Sequence, residues 1–578
     1  MSLRRISSQQ LKHLVFDAQE LAILDVGEEG QYGEAHLLRA ANAPYSLLES
    51  IAPTLVPRKT CLVVLADHGE DVSARAAARL TDIGYTNIAV LEGGVPAWAA
   101  AGFEVFKGVF VPSKAYGEWL GHGLRTPEIS AHDLQVLTAR SPAREEGDGE
   151  GAKHGSGDGV VILDPRTVPE HAARHVPGAI ACPGAELALR FDELVPDAQT
   201  TVVVACGGRT RGLVGAQTLL DAGVPNPVMA LADGNHGWQL AGYPLEEGLR
   251  SSFSFTGPHA NDKAFERAKA LRSRSGIQVI DETALASWRQ DETRTTYTFD
   301  VRTREEYDAA HLSGAMHAPG GQLVQATDRW VAVRGARIVL VDTDGVRATS
   351  VAVHLQRMGW ETHVLTWEAG AVSHHGDGAA VSLPSGSKAA DAAARVSTPL
   401  TEVVGDIPDF SPEEAAEALA SGSVALDAGL SQEFLDGSAC GPAWRSHWVT
   451  RASLGRWIEA AAQGQPLIIF SSDGLAARLV GLDLLREAPG SSIHVVQGGL
   501  LRWKAEGLSV LARDPSELHR QERIDTLYWA RERRHGDQAA MRMYLAWEHQ
   551  LLAQVQRDEA DFPSAFALAA ISAISASH

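Results

Sequence analysis

The chain has 578 residues, which at roughly 100–200 residues per domain corresponds to about four domains. Its composition, with 45% hydrophobic and 21% charged residues, is typical of a globular protein and excludes a fibrous or disordered chain. The net charge of −21 disfavours nucleic acid and anionic membranes as partners, because both repel a strongly acidic protein.

The N-terminus and the cysteines indicate a reducing compartment. The first residues lack the apolar core of a secretory signal, and no apolar run approaches the ~18 residues of a membrane span. The four cysteines are too few and too scattered for a disulfide framework, and the absence of a C-x-x-C pair argues against a structural zinc site. We therefore expect a soluble, cytoplasmic protein without metal or cofactor. The four cysteines are Cys61, Cys182, Cys206 and Cys440.

A fourfold repeat organises the chain. Each copy begins with a short aliphatic strand that ends in an aspartate: Asp25, Asp164, Asp300 and Asp427. A second apolar strand follows about 42–44 residues later, and the whole pattern recurs about every 130–140 residues. The second strand leads into a loop whose first residue differs between the copies: Asp67, Cys206, Asp342 and Ser471.

The remaining elements of each copy predict an α/β fold. A helical pattern follows each loop, as at 73–84 and 213–223, and a third apolar strand comes next, usually with a Trp beyond it. Continuous apolar strands that alternate with helices predict a parallel sheet with helices on both faces, where ligands bind beyond the carboxyl ends of the strands. We predict four such tandem domains and a C-terminal helical extension, at residues 1–108, 127–250, 277–375, 401–515 and 516–560.

The segments between the copies are interpreted as linkers at 109–126, 251–276 and 372–400, with a helical pattern inside the second. Residues 141–159 are interpreted as a flexible surface loop. A phosphate-binding loop is disfavoured there, because no strand precedes it and no helix follows it. Residues 516–556 carry two helical patterns with aromatic residues, which predict a helical hairpin packed on a neighbouring domain.

The loop of the second copy carries the residues that could take part in a reaction. Its turn amides, the N-terminus of the next helix and two guanidinium groups would converge on the cysteine sulfur. These groups are expected to lower the pKa of the thiol from its usual ~8.5 and to favour the reactive thiolate. We interpret the cysteine as a nucleophile, with a buried structural cysteine as the alternative. The loop comprises Cys206, Gly207, Gly208, Arg209, Thr210, Arg211 and Gly212.

These motifs together resemble the rhodanese sulfurtransferases. The resemblance is carried by Asp-Pro-Arg at 164–166, HVPGA at 175–179, the Cys-Gly-Gly-Arg loop, and DVRTREEYDAAHLSGA at 300–315. The resemblance covers about 80% of the chain. Within the family, the chain is most similar in organisation to the tandem four-domain members of the thiosulfate sulfurtransferases. The resemblance implies that Cys206 takes the outer sulfur of a small-molecule donor such as thiosulfate and passes it to cyanide, a small thiol or a protein thiol.

The resemblance also implies roles for neighbouring residues. Arg209 and Arg211 would bind the sulfonate oxygens of the donor, which favours thiosulfate over 3-mercaptopyruvate or glutathione persulfide. Arg166 lies where rhodaneses place a substrate-binding arginine, with an ion pair to Glu170 or another acid as the alternative. Gly207, Gly208, Thr210 and Gly212 would complete the substrate-binding loop.

Other polar residues near these motifs have two interpretations each. Cys182 could resolve the persulfide or be inert, as we expect for Cys61 and Cys440. Glu186 and Arg190 could line the pocket or lie on an exposed helix face. The spacing of His171, His175 and His236 fits no common pattern of metal ligands. His175 is expected to hydrogen-bond within its turn.

Two other function classes share features with this pattern. A cysteine phosphatase needs an arginine six positions after the cysteine, whereas Gly212 is there, and the shorter loop suits sulfur better than phosphate. A rhodanese-like scaffold or sulfur and redox sensor stays open, because three of the four copies lack the cysteine. In those copies Asp67 and Asp342 are expected to cap the next helix, and Ser471 to be unreactive without a base. The oligomeric state stays open.

Overall fold

The computed structural model describes residues 3–15, 19–69, 72–140, 159–195, 197–249, 262–367, 407–533 and 536–559. The predicted surface loop at 141–159, apart from its last residue, and the linker at 372–400 lie outside these residues. None of the described helices is both long enough and apolar enough to cross a membrane.

The first domain and the segment after it extend from β1 to α6. Their elements are β1 (Arg4–Ile6), α1 (Ser8–Val15), β2 (Leu21–Asp25), α2 (Glu29–Glu34), β3 (Ala40–Asn42), α3 (Leu48–Leu55), β4 (Leu62–Ala66), α4 (Val72–Asp82), β5 (Ile88–Leu91), α5 (Gly94–Ala100) and α6 (Val111–His122). Helix α6 connects this domain to the second.

The second domain repeats the pattern. Its elements are β6 (Glu128–Ile129), α7 (Ala131–Arg140), β7 (Val160–Asp164), α8 (Val168–Ala173), β8 (Ile180–Ala181), α9 (Leu187–Leu194), β9 (Thr201–Val204), α10 (Thr210–Ala222), β10 (Val228–Leu231) and α11 (Gly234–Leu240). Helix α12 (Asp262–Ser275) follows, which confirms the helix predicted in the second linker.

The third domain consists of the following elements: β11 (Gln278–Val279), α13 (Glu282–Arg289), β12 (Thr296–Asp300), α14 (Arg304–Ala309), β13 (Met316–His317), α15 (Gly320–Gln325), β14 (Val333–Arg334), β15 (Arg337–Asp342), α16 (Arg347–Arg357) and β16 (Glu361–Thr366).

The fourth domain and the C-terminal extension complete the described chain. Their elements are β17 (Asp409–Phe410), α17 (Pro412–Ala420), β18 (Val424–Asp427), α18 (Ser431–Gly437), β19 (Ser438–Ala439), β20 (His447–Trp448), α19 (Gly455–Ala462), β21 (Leu467–Phe470), α20 (Leu475–Glu487), β22 (Ile493–Val496), α21 (Gly499–Ala505), β23 (Val510–Leu511), α22 (Tyr528–Glu532) and α23 (Gln538–Glu559).

The four domains share one strand order. The sheets run β1-β5-β4-β2, β6-β10-β9-β7-β8, β11-β16-β15-β12-β13 and β17-β22-β21-β18-β20, and their successive strands pair in parallel. The central strands are buried along their length because helices cover both faces, as the continuous apolar runs predict. The α/β fold of four tandem domains with a helical extension is confirmed.

Domains 1 and 3 share a sheet. Strand β14 of domain 3 pairs antiparallel with β2 of domain 1, with Val333 opposite Ala22 and Arg334 opposite Leu21. The hydroxyl of Tyr297 in domain 3 also donates to the carbonyl of Leu55 in domain 1. One hydrophobic cluster runs through domains 1, 2 and 3, whereas domain 4 has clusters of its own.

The segment at 109–126 is not a plain linker. Helix α6 is largely buried, and its Tyr116, Trp119 and Leu120 belong to the large hydrophobic cluster. The polar residues that suggested a linker are paired instead, since the helix packs against both α10 and α23. Helix α23 reaches α6 from the far end of the chain, so the extension does pack on neighbouring domains.

Candidate active site

Cys206 lies between β9 and α10, at the carboxyl edge of the second sheet, and its side chain is buried with 2% of its surface exposed. The thiol donates to the carbonyl oxygen of Gly208 at 3.2 Å. The backbone N–H groups of Gly208 and Gly212 act to lower the pKa of the thiol, and a Cβ built on Gly212 would lie 3.6 Å from the sulfur. The loop therefore surrounds the sulfur with main-chain groups, as a site for a sulfur anion requires.

The Cys206 loop is fixed from outside by the start of α11. The backbone N–H of Asn235 donates to the carbonyl of Cys206 at 2.7 Å, and that of His236 donates to the carbonyl of Gly207 at 3.2 Å. Gly234 has a φ of +52°, and a Cβ there would lie 2.2 Å from the Cys206 carbonyl oxygen. Only glycine lets the two backbone segments approach this closely.

The other three loops present different atoms to the same main-chain cradle. Asp67 accepts a hydrogen bond from the N–H of Ser73, Asp342 from that of Ala348, and Ser471 from that of Ala477. Each donor is six residues beyond its acceptor, as Gly212 is beyond Cys206. The two aspartates thus contact the first turn of the following helix. The cradle is common to all four domains, and only domain 2 places a sulfur in it.

The electrostatic setting of Cys206 differs from the sequence-based expectation. Burial raises the pKa of the thiol above its ordinary value, because a thiolate loses its hydration in the interior. Arg211 and the N–H groups of Gly212 and Gly208 act in the opposite direction without cancelling this effect. The expected lowering of the pKa is therefore wrong for this conformation, in which the loop is covered.

All three candidate arginines have carboxylate partners. Arg211 forms a two-pronged ion pair with Glu170, at 2.7 and 2.8 Å, and this partner holds the pKa of the Glu170 carboxyl below its ordinary range although burial opposes it. Arg166 pairs with Asp164 at 2.6 Å and lies beside Gly207. Sulfonate binding by these guanidinium groups stays a prediction.

Arg209 points toward three acids. Its guanidinium contacts Glu118 of α6 at 2.7 Å, Glu128 at 3.1 Å and Asp233 at 3.2 Å. These partners raise the pKa of Arg209 above its ordinary value although burial opposes them, so the residue stays charged. The arrangement ties the start of α10 to α6 and to the turn before α11.

Cys182 and its neighbours are buried beside Asp164. Burial raises the pKa of Cys182 well above its ordinary value. Glu186 is buried and contacts both Arg190 at 3.3 Å and Arg347 of domain 3 at 3.0 Å. The exposed-face interpretation of Glu186 and Arg190 is therefore wrong, since the pair lies at the contact between domains 2 and 3.

The three histidines are divided between two places. Nδ1 of His171 donates to the carboxylate of Asp164 at 3.0 Å. The ring of His171 stacks on that of His175, whose Nδ1 donates to the His171 carbonyl. His236 lies beside the cysteine loop and makes an edge contact with the ring of Tyr544. Among the described residues, no group of three or more His, Cys, Asp or Glu side chains is arranged to hold a metal ion.

The C-terminal helix supplies residues to this site that the sequence analysis did not assign. Glu548 of α23 accepts a hydrogen bond from the Thr210 hydroxyl at 2.6 Å and contacts Lys114 at 3.4 Å. His549 approaches Glu118 at 3.3 Å and Asp233 at 3.6 Å. The aromatic residues of the extension were the available signal, but they do not indicate which surface the helix covers.

Comparison with known proteins identifies the family. The family model for the rhodanese-like domain matches residues 7–101, 150–241 and 283–372. The crystal structure of a thiosulfate sulfurtransferase from Pseudomonas aeruginosa is 36% identical, with a TM-score of 0.81, and the match covers 96% of this chain and 98% of that one. The chain belongs to the rhodanese-like family. A similar segment also occurs in the HTH-type transcriptional regulator Rv0324 of Mycobacterium tuberculosis, 37% identical over 89 residues, which are 15% of this chain and 38% of the regulator.

The family assignment extends to the part of the chain outside the matched segments. Domain 4 has the rhodanese-like strand order, and its Ser471 lies in the same main-chain cradle. The protein is thus a four-domain member of the rhodanese-like sulfurtransferase family, and the second domain is the one with a cysteine, Cys206, at the start of this loop.

Proposed function

We propose that this protein is a sulfurtransferase that carries sulfur as a persulfide on Cys206. The observation behind the proposal is the buried sulfur of Cys206 at the start of the loop, where the backbone N–H groups of Gly208 and Gly212 favour its anionic form. These groups can stabilise a sulfur anion without an acid or base, because each species in the cycle already carries its negative charge.

The chemistry consists of two sulfur transfers. The Cys206 thiolate attacks the outer sulfur of thiosulfate, an S–S bond forms, and sulfite leaves with the electron pair of the broken bond. The resulting Cys206 persulfide anion then gives its terminal sulfur to cyanide, forming thiocyanate, or to a thiolate, forming a new persulfide. The thiolate of Cys206 is regenerated, so the charge and the electrons balance in both steps.

Thiosulfate is the first donor to test, because the Pseudomonas relative is a thiosulfate sulfurtransferase. Arg211, whose charge acts on Cys206, and Arg166, which lies beside Gly207, are the cations available to the donor. Each guanidinium group would have to bind the donor oxygens as well as its carboxylate partner. Small thiols, cyanide and a protein thiol are the proposed acceptors, and no cofactor enters the scheme.

The test is mass spectrometry of the intact protein after exposure to each donor. The proposal expects a gain of one sulfur atom, located on the peptide with Cys206, and its loss on addition of cyanide. Cys206→Ser should remove the gain, because a serine hydroxyl stays protonated at neutral pH. Cys182→Ser is the matched control and should retain it. Labelling that persists in Cys206→Ser contradicts the proposed site.

A second candidate is a sulfur or redox sensor. The burial of Cys206 beneath α23 favours it, because a thiol that reacts only when a helix moves can report its own modification. A sensor would be labelled by the donor without multiple turnovers. Continuous thiocyanate production from thiosulfate and cyanide therefore supports the enzyme and rejects the sensor.

A further inference from the structure

The loop at the carboxyl edge of each sheet is held by different side chains in the four domains. In three domains, a side chain one or two positions after the start of the loop pairs with a neighbouring group: His68 with Asp25, Asp344 with Arg347, and Ser472 with Glu433. The same positions in domain 2 are Gly207 and Gly208. Glycine lets main-chain groups approach a sulfur anion closely, but it also leaves this segment without side chains that could fix it.

The next residue of the loop, Arg209, fixes it from outside. The guanidinium of Arg209 contacts the carboxylate of Asp233 in the turn before α11, at 3.2 Å. Arg209 directly follows Gly208 in the loop. Asp233 directly precedes Gly234, whose backbone lies against the loop. The ion pair therefore joins the cysteine loop and the turn beside the point where their backbones approach most closely.

Both members of this ion pair replace glycines of the repeat. In domain 4, the residue equivalent to Arg209 is Gly474, with a φ of +93°. The residue equivalent to Asp233 is Gly498, with a φ of +71°. Asp233 keeps a φ of +58°, which is unfavourable for a residue with a side chain. Strained residues of this kind cluster at functional sites, where their surroundings hold them in place.

The main-chain contacts of the loop form without this ion pair. In domain 4, the N–H of Leu500 donates to the carbonyl of Ser471 at 2.8 Å. The N–H of Leu501 donates to the carbonyl of Ser472 at 3.0 Å. These two contacts are equivalent to those that α11 makes with the Cys206 loop. Because the loop and the turn pack together with glycine at both positions, the fold of this region does not require the pair.

We propose that Arg209 and Asp233 form a clamp that positions the Cys206 loop for sulfur transfer. The guanidinium of Arg209 is occupied by three carboxylates, so Arg209 is a positioning residue and not a ligand of the donor. This role replaces the sulfonate-binding role that the resemblance implies for Arg209. The inference rests on the proposed sulfur transfer and adds to it the residues that hold the loop.

The experiment measures persulfide formation on Cys206 of the full-length protein in a single turnover, at a series of thiosulfate concentrations. Asp233→Asn removes the charge and keeps a side chain that tolerates a positive φ. Its maximum rate should fall about tenfold, because the loop is no longer held in place. The thiosulfate concentration that gives half of this rate should be unchanged, because the cations available to the donor remain.

Asp192→Asn is the matched control. It makes the same change in another ion pair of domain 2, in which Asp192 contacts Arg267 at 2.7 Å and joins α9 to α12. Its maximum rate should equal that of the unmodified protein. Equal maximum rates in Asp233→Asn and Asp192→Asn overturn the inference. A raised half-saturating concentration at an unchanged maximum rate also overturns it, because that result indicates donor binding. Absence of a persulfide in the unmodified protein instead rejects the proposed sulfur transfer.

Asp233 also approaches a residue of α23, His549, at 3.6 Å. The change to asparagine weakens this contact as well. Looser docking of α23 would expose Cys206 and raise the rate of persulfide formation, which is opposite in sign to the expected result. A fall in the maximum rate therefore reports the clamp.

Asp233→Gly separates positioning from stability and covers the case in which the asparagine variant does not fold. Glycine relieves the strain of the positive φ and restores the residue of domain 4, so the unfolding temperature should not fall. The maximum rate should nevertheless fall as in Asp233→Asn. An unchanged rate overturns the inference. A parallel loss of rate and unfolding temperature assigns the pair to the fold alone and overturns it as well.

Discussion

Gly234→Ala is expected to slow sulfur transfer strongly without touching a side chain of the site. The residue has a φ of +52°, where a side chain costs about 1–2 kcal/mol. An added Cβ would lie 2.2 Å from the carbonyl oxygen of Cys206 and 2.4 Å from that of Gly208. Because the mutation adds only a methyl group, its effect on activity reports the position of the loop.

The size of the effect follows from these distances. An ordinary C···O contact is about 3.3 Å, so the loop and the start of α11 must separate by roughly 1 Å. The hydrogen bond from the Asn235 N–H to the Cys206 carbonyl is lost on this displacement, which costs about 1 kcal/mol. With the backbone strain, the domain loses on the order of 2–3 kcal/mol of stability. A displacement of about 1 Å in a catalytic group lowers the rate on the order of 100-fold.

Domain 4 offers the matched control. Gly499 has a φ of +58°, and a Cβ there would lie 2.2 Å from the carbonyl oxygen of Ser471, so Gly499→Ala imposes the same strain on a loop without a cysteine. Both variants should lower the unfolding temperature, and only Gly234→Ala should slow persulfide formation, measured by mass spectrometry in a single turnover. Equal rates in the two variants would refute the argument that this contact positions Cys206.

The remaining predictions concern charge. Arg211→Ala removes a positive charge that lowers the pKa of Cys206, so the midpoint of thiol alkylation by a neutral reagent should move to higher pH, with partial recovery in Arg211→Lys; an unchanged midpoint would contradict this. Hydrogen bonds to Asp233 and Glu118 raise the pKa of His549 from 6.5 to about 9 in the folded protein. The stabilisation of docked α23 by protonated His549 is complete below about pH 6.5 and is lost as the pH rises through 9. Proteolysis within α23 should therefore increase over that interval, and His549→Asn should remove the dependence.

The repeat and the Cys206 loop could be predicted because their determinants are local. Each strand is a short continuous apolar run, and the loop residues are consecutive, so the sequence near Cys206 indicates both the fold and the place of the cysteine at the start of the loop. The same holds for Asp67 and Asp342, whose contacts with the next helix follow from their place before it. Residues that are close together in the sequence suffice to predict these features.

The surroundings of Cys206 could not be predicted because they come from distant parts of the chain. Glu118 is 91 residues from Arg209, and Glu548 is 338 residues from Thr210. No pattern of spacing relates such positions, since their proximity results from the packing of α6 and α23. The pKa of Cys206 was expected in the wrong direction for the same reason. The sequence shows the charged residues near the cysteine, but it does not show that the loop is buried by a remote helix.

The pairing of β14 with β2 has a consequence for how the protein can be divided. Domain 1 produced alone would leave β2 without its partner strand at Leu21 and Ala22 on the side that β14 occupies, and another chain can add a strand at such a sheet edge. Truncations designed at the repeat boundaries should therefore aggregate unless domains 1 and 3 are kept in one polypeptide. A fragment for expression and crystallisation must therefore contain at least the first three copies, because the two copies that flank the Cys206 domain along the chain share this sheet.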